Sequence, residues 1–206
     1  KPIYKWLPDF SELDDEEIKN IGIVINEEDS REANSFIDKH FLDKSKNIVA
    51  VQPGAGQVKN IWDVENFFFL LLRLYEKHKN YILITCGPTD KDVVKSLSEK
   101  LLKDNIGFVI ESLPLKQLCA VLKKTDLYIT NDTGTMHIAA SADVKMISLF
   151  GPTNPVEWAP NRNHQKFIKS KDGNINSISV EEVFTLAETF LSKNIRFENK
   201  LTILPS

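Results

Sequence analysis

Apolar and polar residues follow one another along most of this chain in a regular order, a short apolar run and then a longer amphipathic segment. The apolar runs are rich in Val, Ile and Leu, which is typical of strands that are buried on both faces. The longer segments repeat apolar residues at helical spacing. The predicted strands cover residues 47–51, 81–85, 107–110, 126–130 and 145–150, and the predicted helices cover 63–74, 90–102, 114–123, 134–142 and 180–191.

This order predicts an α/β fold, because strand–helix units with short buried strands form a mostly parallel sheet with helices on both sides. We expect one Rossmann-like, three-layer domain over residues 46–206, closed by a C-terminal helix. Residues 1–45 lack this regularity and are predicted to be an interdomain or peripheral segment. Within it, the pattern indicates a short strand at 21–25 and a surface helix at 30–41 that is capped by Ser30.

Composition and charge narrow the classes of function. The 206 residues are 42% hydrophobic and 27% charged, with a formal net charge of −3. A nucleic-acid-binding protein would show a strong basic excess, so this class is disfavoured. No apolar run approaches the roughly 20 residues of a membrane span. Cys86 and Cys119 show neither disulfide nor metal spacing and are predicted to be buried free thiols, as suits the cytoplasm.

A glycine loop, Gly54-Ala55-Gly56, follows the first predicted strand. It is not a dinucleotide fingerprint, because Lys59 stands where the third glycine would be, and it lacks the Lys-Ser/Thr pair of a Walker A loop. The glycines still allow a ligand to approach the backbone closely, and Lys59 adds a positive charge nearby. The loop is therefore either a phosphate-binding turn or a plain turn with an exposed lysine.

The turn after the fourth predicted strand carries the strongest signal. In the run Asn131-Asp132-Thr133-Gly134-Thr135 a strand changes directly into a helix, so several backbone N–H groups lack a helical partner. These donors and the helix dipole together favour an anion. Asp132 is predicted to cap the helix, while Thr133, Gly134 and Thr135 offer N–H groups to phosphates.

Two further side chains are candidates for the same site. Glu111 follows the third strand, where a carboxylate can accept hydrogen bonds from ribose hydroxyls, unless it is a solvated loop residue. His137 lies in the first turn of the helix, where the dipole disfavours its protonated form, so it is a neutral donor or a packed residue. A second turn, at 150–155, ends the neighbouring strand. The sequence thus predicts a site for a phosphorylated small molecule at this edge of the sheet.

These residues resemble a known family. The run 131–140 (Asn-Asp-Thr-Gly-Thr-Met-His-Ile-Ala-Ala), with 147–153 (Ile-Ser-Leu-Phe-Gly-Pro-Thr), is similar to the signature of the ADP-heptose:lipopolysaccharide heptosyltransferases, glycosyltransferase family 9. The similarity extends over about residues 47–158. It also includes Pro53-Gly-Ala-Gly56, Lys59, Trp62, Gly87-Pro-Thr-Asp90 and Ile110-Glu-Ser-Leu-Pro114.

The resemblance implies one half of a GT-B fold, in which two Rossmann-like domains face each other across a cleft. This chain resembles the C-terminal domain, which holds the ADP-sugar donor. The resemblance implies Lys59 at the diphosphate, Glu111 at the ribose, and a phosphate and sugar turn formed by Asp132, Thr133, Gly134 and Thr135. The N-terminal domain would bind the lipopolysaccharide core acceptor and carry the catalytic base. The implied donor-binding residues are Gly54, Ala55, Gly56, Lys59, Glu111, Asp132, Thr133, Gly134, Thr135 and His137.

The implied reaction is an inverting transfer of a heptose-like sugar from an ADP-sugar to the acceptor, without a metal or another cofactor. The chain alone is expected to bind the donor but to lack the base. The acceptor would bring the enzyme to the cytoplasmic face of the inner membrane as a peripheral protein. Two positions depart from the family pattern: two residues, not one, separate Lys59 from Trp62, and Met136 is bulkier than expected.

Other functions also fit the residues. A nucleotide-binding module without catalysis, a GT-B-type nucleotide-sugar epimerase and a Rossmann-like domain without a ligand all stay open. An epimerase would need acid and base carboxylates in the cleft. A Rossmann oxidoreductase is disfavoured, because the third glycine of the dinucleotide fingerprint is missing.

Overall fold

Parallel strands form the centre of the protein in the computed structural model, which describes residues 23, 25–41, 43–102, 106–111, 113–160 and 162–192. The strands are β1 Ile48–Gln52, β2 Tyr81–Cys86, β3 Phe108–Glu111, β4 Leu127–Asn131, β5 Met146–Phe150 and β6 Gln165–Lys169. They form one sheet in the order β3-β2-β1-β4-β5-β6. Every neighbouring pair is parallel, which confirms the predicted Rossmann-like α/β class.

Helices cover both faces of this sheet. They are α1 Glu27–His40, α2 Val64–His78, α3 Lys91–Leu102, α4 Leu115–Leu122, α5 Gly134–Ser141, α6 Pro155–Trp158 and α7 Val180–Leu191, with 3₁₀ turns at Val58–Asn60 and Ile175–Ser177. On one face α2 packs against α3 and α7, and on the other α4 packs against α1 and α5. Each face of the sheet has its own apolar core, and alternate residues of β1 point into the two cores. Val49 and Val51 lie in the core on the α2 side, and Ile48 and Ala50 lie in the core on the α4 side.

One strand of the sheet was not predicted. β6 carries Lys166 and Lys169 and has only Gln165 fully buried, because it lies at the edge of the sheet beside β5. Charged side chains are common on edge strands, where they discourage pairing with other chains. The apolar runs that identify buried strands are therefore missing from this strand.

The first described helix starts earlier than predicted. α1 is capped by Asn26, whose side chain accepts a hydrogen bond from the backbone N–H of Asp29. The Asp29 carboxylate in turn accepts a hydrogen bond from the backbone N–H of Asn26, which completes a capping box. The predicted cap, Ser30, lies inside the helix and donates its hydroxyl to the carbonyl of Asn26. The predicted domain boundary near residue 45 stays a prediction. Residues 1–20 of the predicted peripheral segment and most of its predicted strand at 21–25 lie outside the described residues.

The inner face of α1 belongs to the core of the domain. Ala33, Ile37 and the following Phe41 are buried in the same apolar cluster as the side chains of α4. The peripheral segment therefore includes at least one helix that shares the packing of the sheet.

The other helix ends agree closely with the sequence. Asp63, where the second helix is predicted to begin, caps α2 by accepting a hydrogen bond from Glu65 N. Pro114 immediately precedes α4 and is not its first helical residue. Cys86 and Cys119 are free and buried, and burial raises the pKa of both thiols.

Candidate functional site

The chain reverses its direction across the sheet between β1 and β4. From β1 it proceeds outward to β2 and β3, and it then returns to place β4 on the other side of β1. In open α/β sheets, ligands bind at such a switch point, beyond the carboxyl ends of the strands. An open cavity of about 560 Å³ lies here, within the usual range for a small-molecule site. Its lining residues are Gly56, Gln57, Lys59, Asn60, Asp132, Thr133, Gly134, His137, Pro152, Thr153 and Trp158.

The structure brings part of the predicted site together. Six predicted residues line the cavity: Gly56, Lys59, Asp132, Thr133, Gly134 and His137. The other four do not, and each has an identifiable position. Gly54 and Ala55 are buried, Glu111 is exposed at the end of β3, and Thr135 is half-buried in the first turn of α5. The roles of all ten residues in binding a donor stay predictions.

The space beside the Gly54 Cα is filled by another part of the protein. A Cβ at this position would overlap the carboxyl group of Asp90. By contrast, a Cβ on Gly56 would meet no atom within 4 Å. The two glycines of the loop therefore have different reasons to lack a side chain. Gly54 lets Asp90 pack against the backbone, and Gly56 leaves open space at the cavity.

Asn131, at the end of β4, fixes the loop after β1. Its side-chain NH₂ donates to the carbonyls of Pro53 (2.8 Å) and Gly54 (3.3 Å). Its side-chain oxygen accepts a hydrogen bond from the N–H of Trp62 at 3.2 Å. Asn131 is fully buried, so water does not compete for these hydrogen bonds. A polar residue that ends an otherwise apolar strand is the sequence signal for such a clamp.

Asp132 does not cap α5, contrary to the prediction. Thr133 occupies the cap position, and its side chain makes no capping hydrogen bond. Asp132 lies one residue too early for this role, since its backbone N–H is bonded to the carbonyl of Leu149 at the end of β5 (3.0 Å). Its carboxylate instead accepts a hydrogen bond from Asn60 Nδ2 at 3.3 Å.

The absence of a side-chain cap leaves the start of α5 available to a ligand. The first N–H groups of a helix have no partner within it, and here they belong to residues that line or adjoin the cavity, Gly134 and Thr135. A Cβ on Gly134 would meet nothing within 4 Å, so this position is open. The Thr135 hydroxyl accepts a hydrogen bond from Tyr128 Oη at 3.1 Å, which fixes this side chain against β4 in the first turn of the helix.

His137 is a half-buried member of the cavity wall. Burial lowers the pKa of its imidazole, and the nearby Asp132 carboxylate offsets this only in part. The neutral form is therefore favoured, as the sequence predicted, although burial rather than the helix dipole is the main cause. Trp158 meets the ring edge-on, with ring centroids 6.4 Å apart. The two rings give this side of the cavity an aromatic wall.

The loop after β5 places Trp158 and Thr153. A Cβ on Gly151 would lie 2.9 Å from Ile175 Cβ and 3.2 Å from the Lys59 carbonyl, so glycine allows this loop to pack against the Lys59 turn. Asn154 then caps the short helix α6 by accepting from Val156 N at 3.1 Å. Trp158 ends this helix at the cavity. The sequence predicts a turn here but does not indicate that Thr153 and Trp158 line the cavity.

The described part of the chain contains neither a metal-binding cluster of side chains nor a membrane-spanning helix. No group of three or more His, Cys, Asp or Glu side chains there could hold a metal ion. No helix in that part is long and apolar enough to cross a membrane. That transfer needs neither a metal nor another cofactor stays a prediction.

Comparison with known proteins decides the family. The model of glycosyltransferase family 9 (heptosyltransferase) matches residues 9–187, which is most of the chain. The chain belongs to glycosyltransferase family 9.

Relatives of this family 9 chain have names that agree with the match. Lipooligosaccharide heptosyltransferase 2 of Campylobacter jejuni subsp. jejuni serotype O:2 is 30% identical over 132 residues, which cover 62% of this chain and 41% of that protein. The crystal structure of a family 9 glycosyltransferase from Veillonella parvula superimposes with a TM-score of 0.77 at 25% identity, covering 84% of this chain and 54% of that one.

A third comparison supports only the fold of this family 9 chain, and not its function. The E. coli heptosyltransferase WaaC with ADP superimposes with a TM-score of 0.64 at 19% identity, over 76% of this chain and 48% of that one. The chain thus spans about half the length of the solved structures and 41% of the Campylobacter relative.

Proposed function

We propose that this chain is the donor-binding half of a glycosyltransferase that transfers a heptose-like sugar from an ADP-sugar to a lipopolysaccharide core acceptor. One observation carries the proposal. The start of α5, which has no side-chain cap, and Lys59 line the same cavity at the switch point of the sheet. The chain that forms this cavity belongs to glycosyltransferase family 9.

The cavity is suited to a leaving diphosphate. Negative charge develops on the diphosphate as the bond between the anomeric carbon and its phosphate oxygen breaks. The N–H groups of Gly134 and Thr135 and the ammonium group of Lys59 would stabilise this charge without a metal. Each helix N–H contact with an anion typically contributes about 0.3–1 kcal/mol, and more when partly buried.

The catalytic base is proposed to lie in the part of the enzyme that corresponds to the remaining length of the relatives. An inverting transfer needs a base that removes the proton from the acceptor hydroxyl, which then attacks the anomeric carbon opposite the departing diphosphate. In the cavity described here, His137 and Asp132 are the groups that could accept a proton. Both line the cavity beside the start of α5 and Lys59, so we assign them to the donor and not to the acceptor.

The nucleotide is proposed to be ADP. The E. coli heptosyltransferase of similar fold was solved with ADP, which supports an adenine nucleotide here. Glu111 ends β3, two strands from β1, and its exposed carboxylate stays our candidate for the ribose hydroxyls. The ligand would then extend from the cavity along the carboxyl edge of the sheet.

The acceptor, the location and the alternatives rest on the family. We propose an acceptor in the lipopolysaccharide core, bound by the other half of the enzyme, at the cytoplasmic face of the inner membrane. Family membership favours transfer over the epimerase and over a module without catalysis. An epimerase would change the sugar of an ADP-sugar in the absence of any acceptor, whereas we expect the sugar to remain unchanged.

The test is calorimetric titration of the protein with ADP, UDP and GDP. We expect selective binding of ADP, and we expect Lys59→Ala to raise its Kd about tenfold, since a charge-assisted contact is lost. Lys123→Ala is the matched control, because Lys123 is an exposed lysine at the far end of α4. Binding of no nucleotide, or tighter binding of UDP or GDP than of ADP, would contradict the proposal.

A further inference from the structure

Asn60 stands out among the residues of the cavity wall. Its side chain is buried, with 8% exposure, and its NH₂ group donates to Asp132 Oδ2 at 3.3 Å. Its carbonyl oxygen Oδ1 has no hydrogen-bond partner among the described residues. Buried side-chain oxygens without a partner are uncommon in folded proteins, so each one calls for an explanation.

The orientation of this amide follows from its neighbour. An ionised carboxylate can only accept hydrogen bonds, so the NH₂ group and not the carbonyl of Asn60 must face Asp132. The backbone holds the residue in place, because Asn60 N donates to the Gln57 carbonyl at 2.9 Å and Ile61 N to the Val58 carbonyl at 3.0 Å. Among the described residues, Asn60 is the side chain that donates to Asp132.

Folding alone does not explain this arrangement. A buried amide that is only half satisfied lowers stability relative to a smaller side chain without polar atoms. A residue that breaks such a rule at a cavity typically serves function. The hydrogen bond from Asn60 to the Asp132 carboxylate therefore points to the role of this side chain.

We propose that Asn60 is a positioning residue that holds one oxygen of the Asp132 carboxylate, so that the other oxygen accepts a hydroxyl of the donor's sugar. This inference rests on the proposed function. A carboxylate would repel the diphosphate, whereas a sugar hydroxyl donates a hydrogen bond to it. The Asn60–Asp132 pair therefore acts on the sugar, and the start of α5 and Lys59 act on the phosphates.

The test compares two ligands on the same protein. Calorimetry gives the Kd of ADP and of ADP-heptose for the wild type and for Asn60→Ala. We expect the variant to bind ADP-heptose about tenfold more weakly, with its Kd for ADP changed less than about twofold, because only the sugar contact is lost. The Tm of the variant should be unchanged or higher, which a merely structural role would not give.

Two further variants make the test specific. Asp132→Ala should lose the same preference for ADP-heptose, and Asn60→Ala should have no additional effect in that background, because Asn60 acts through Asp132. Asn80→Ala is the matched control. Asn80 is also a buried asparagine, and neither polar atom of its side chain has a partner among the described residues, but it precedes β2 at the amino ends of the strands, away from the cavity.

The outcomes separate the two proposals. If the wild type binds neither ligand, the proposed function fails and this inference fails with it. If the wild type binds both, the inference alone is overturned by an unchanged preference in Asn60→Ala. It is also overturned if both affinities fall together with the Tm, or if the Asn60 and Asp132 effects add.

Discussion

Two clusters of polar side chains at the carboxyl edge of the sheet differ in how completely their hydrogen-bonding groups have partners. The first surrounds Asp90: its Oδ2 accepts from Gln52 Nε2 at 2.6 Å and from Gly87 N at 3.1 Å. Thr85 in turn donates its hydroxyl to Gln52 Oε1 at 2.6 Å. The second is the Asn60–Asp132 pair, which has one hydrogen bond of 3.3 Å and one carbonyl without a partner among the described residues.

The difference indicates which group serves the fold and which serves a ligand. The Asp90 cluster satisfies its members from within the chain and joins β1, β2 and the turn at residues 87–90. The Asn60–Asp132 pair retains hydrogen-bonding capacity at the cavity. The glycine loop shows the same division, because Asp90 packs on Gly54 while Gly56 adjoins open space. Substitutions on the two sides should therefore separate stability from binding.

The largest loss of stability is expected from Gly54→Ala. The added Cβ would overlap the Asp90 carboxyl group, so the loop or the Asp90 cluster must move. We expect the free energy of unfolding, measured in urea, to fall by about 3 kcal/mol or more. Gly56→Ala is the matched control and should stay within about 0.5 kcal/mol of the wild type. Equal losses in the two variants would refute the division within the loop.

Asp90→Ala should have the next largest effect. It removes the acceptor of three hydrogen bonds, and it leaves the buried amide of Gln52 and the half-buried N–H of Gly87 without these partners. The expected loss is about 2–3 kcal/mol in the same urea measurement. Asp132→Ala serves as the comparison, since Asp132 is half-buried and accepts one bond, and it should lose less than half as much. A loss as large at Asp132 would show that both carboxylates are structural.

Gly134→Ala should change stability and binding in opposite directions. Alanine favours the helix over glycine by up to about 1 kcal/mol, and the added Cβ meets no atom of the protein. We therefore expect a small gain in unfolding free energy, of about 0.5 kcal/mol, together with weaker binding of ADP in calorimetry. Unaltered ADP affinity would mean that the ligand does not approach the start of α5.

The sequence predicted the fold well because the central strands are buried on both faces. β1, β4 and β5 are buried at every position and mostly apolar, and such strands can be recognised without knowledge of their neighbours. β6 escaped detection because an edge strand is only partly buried and carries lysines. The beginning of α1 was misplaced because Asn26 and Ser30 are both plausible caps, and only the Asp29 contact distinguishes them.

The site was predicted less completely, for a different reason. The residues that follow a strand could be assigned to the carboxyl edge, so Lys59, Gly134 and His137 were found. Asn60 was not, because its role depends on Asp132, which is 72 positions away in the sequence. Trp158 likewise reaches the cavity only through α6, a four-residue helix that is too short to show a helical repeat of apolar residues in the sequence.

The smallest effect is expected from the titration of His137, which tests whether the cavity wall is as enclosed as its burial indicates. Burial lowers the pKa of His137 in the folded protein below the ordinary value of about 6.5. The unfolded chain then binds this proton more readily, so the contribution of His137 is fully present above pH about 6.5 and is lost as the pH falls towards the folded pKa. His137→Gln should therefore show a shallower decline in unfolding free energy between pH about 7.5 and 5.5 than the wild type. Parallel declines would show that the imidazole is as accessible to protons in the folded protein as in the unfolded chain, and the cavity wall would then be open to water at this point.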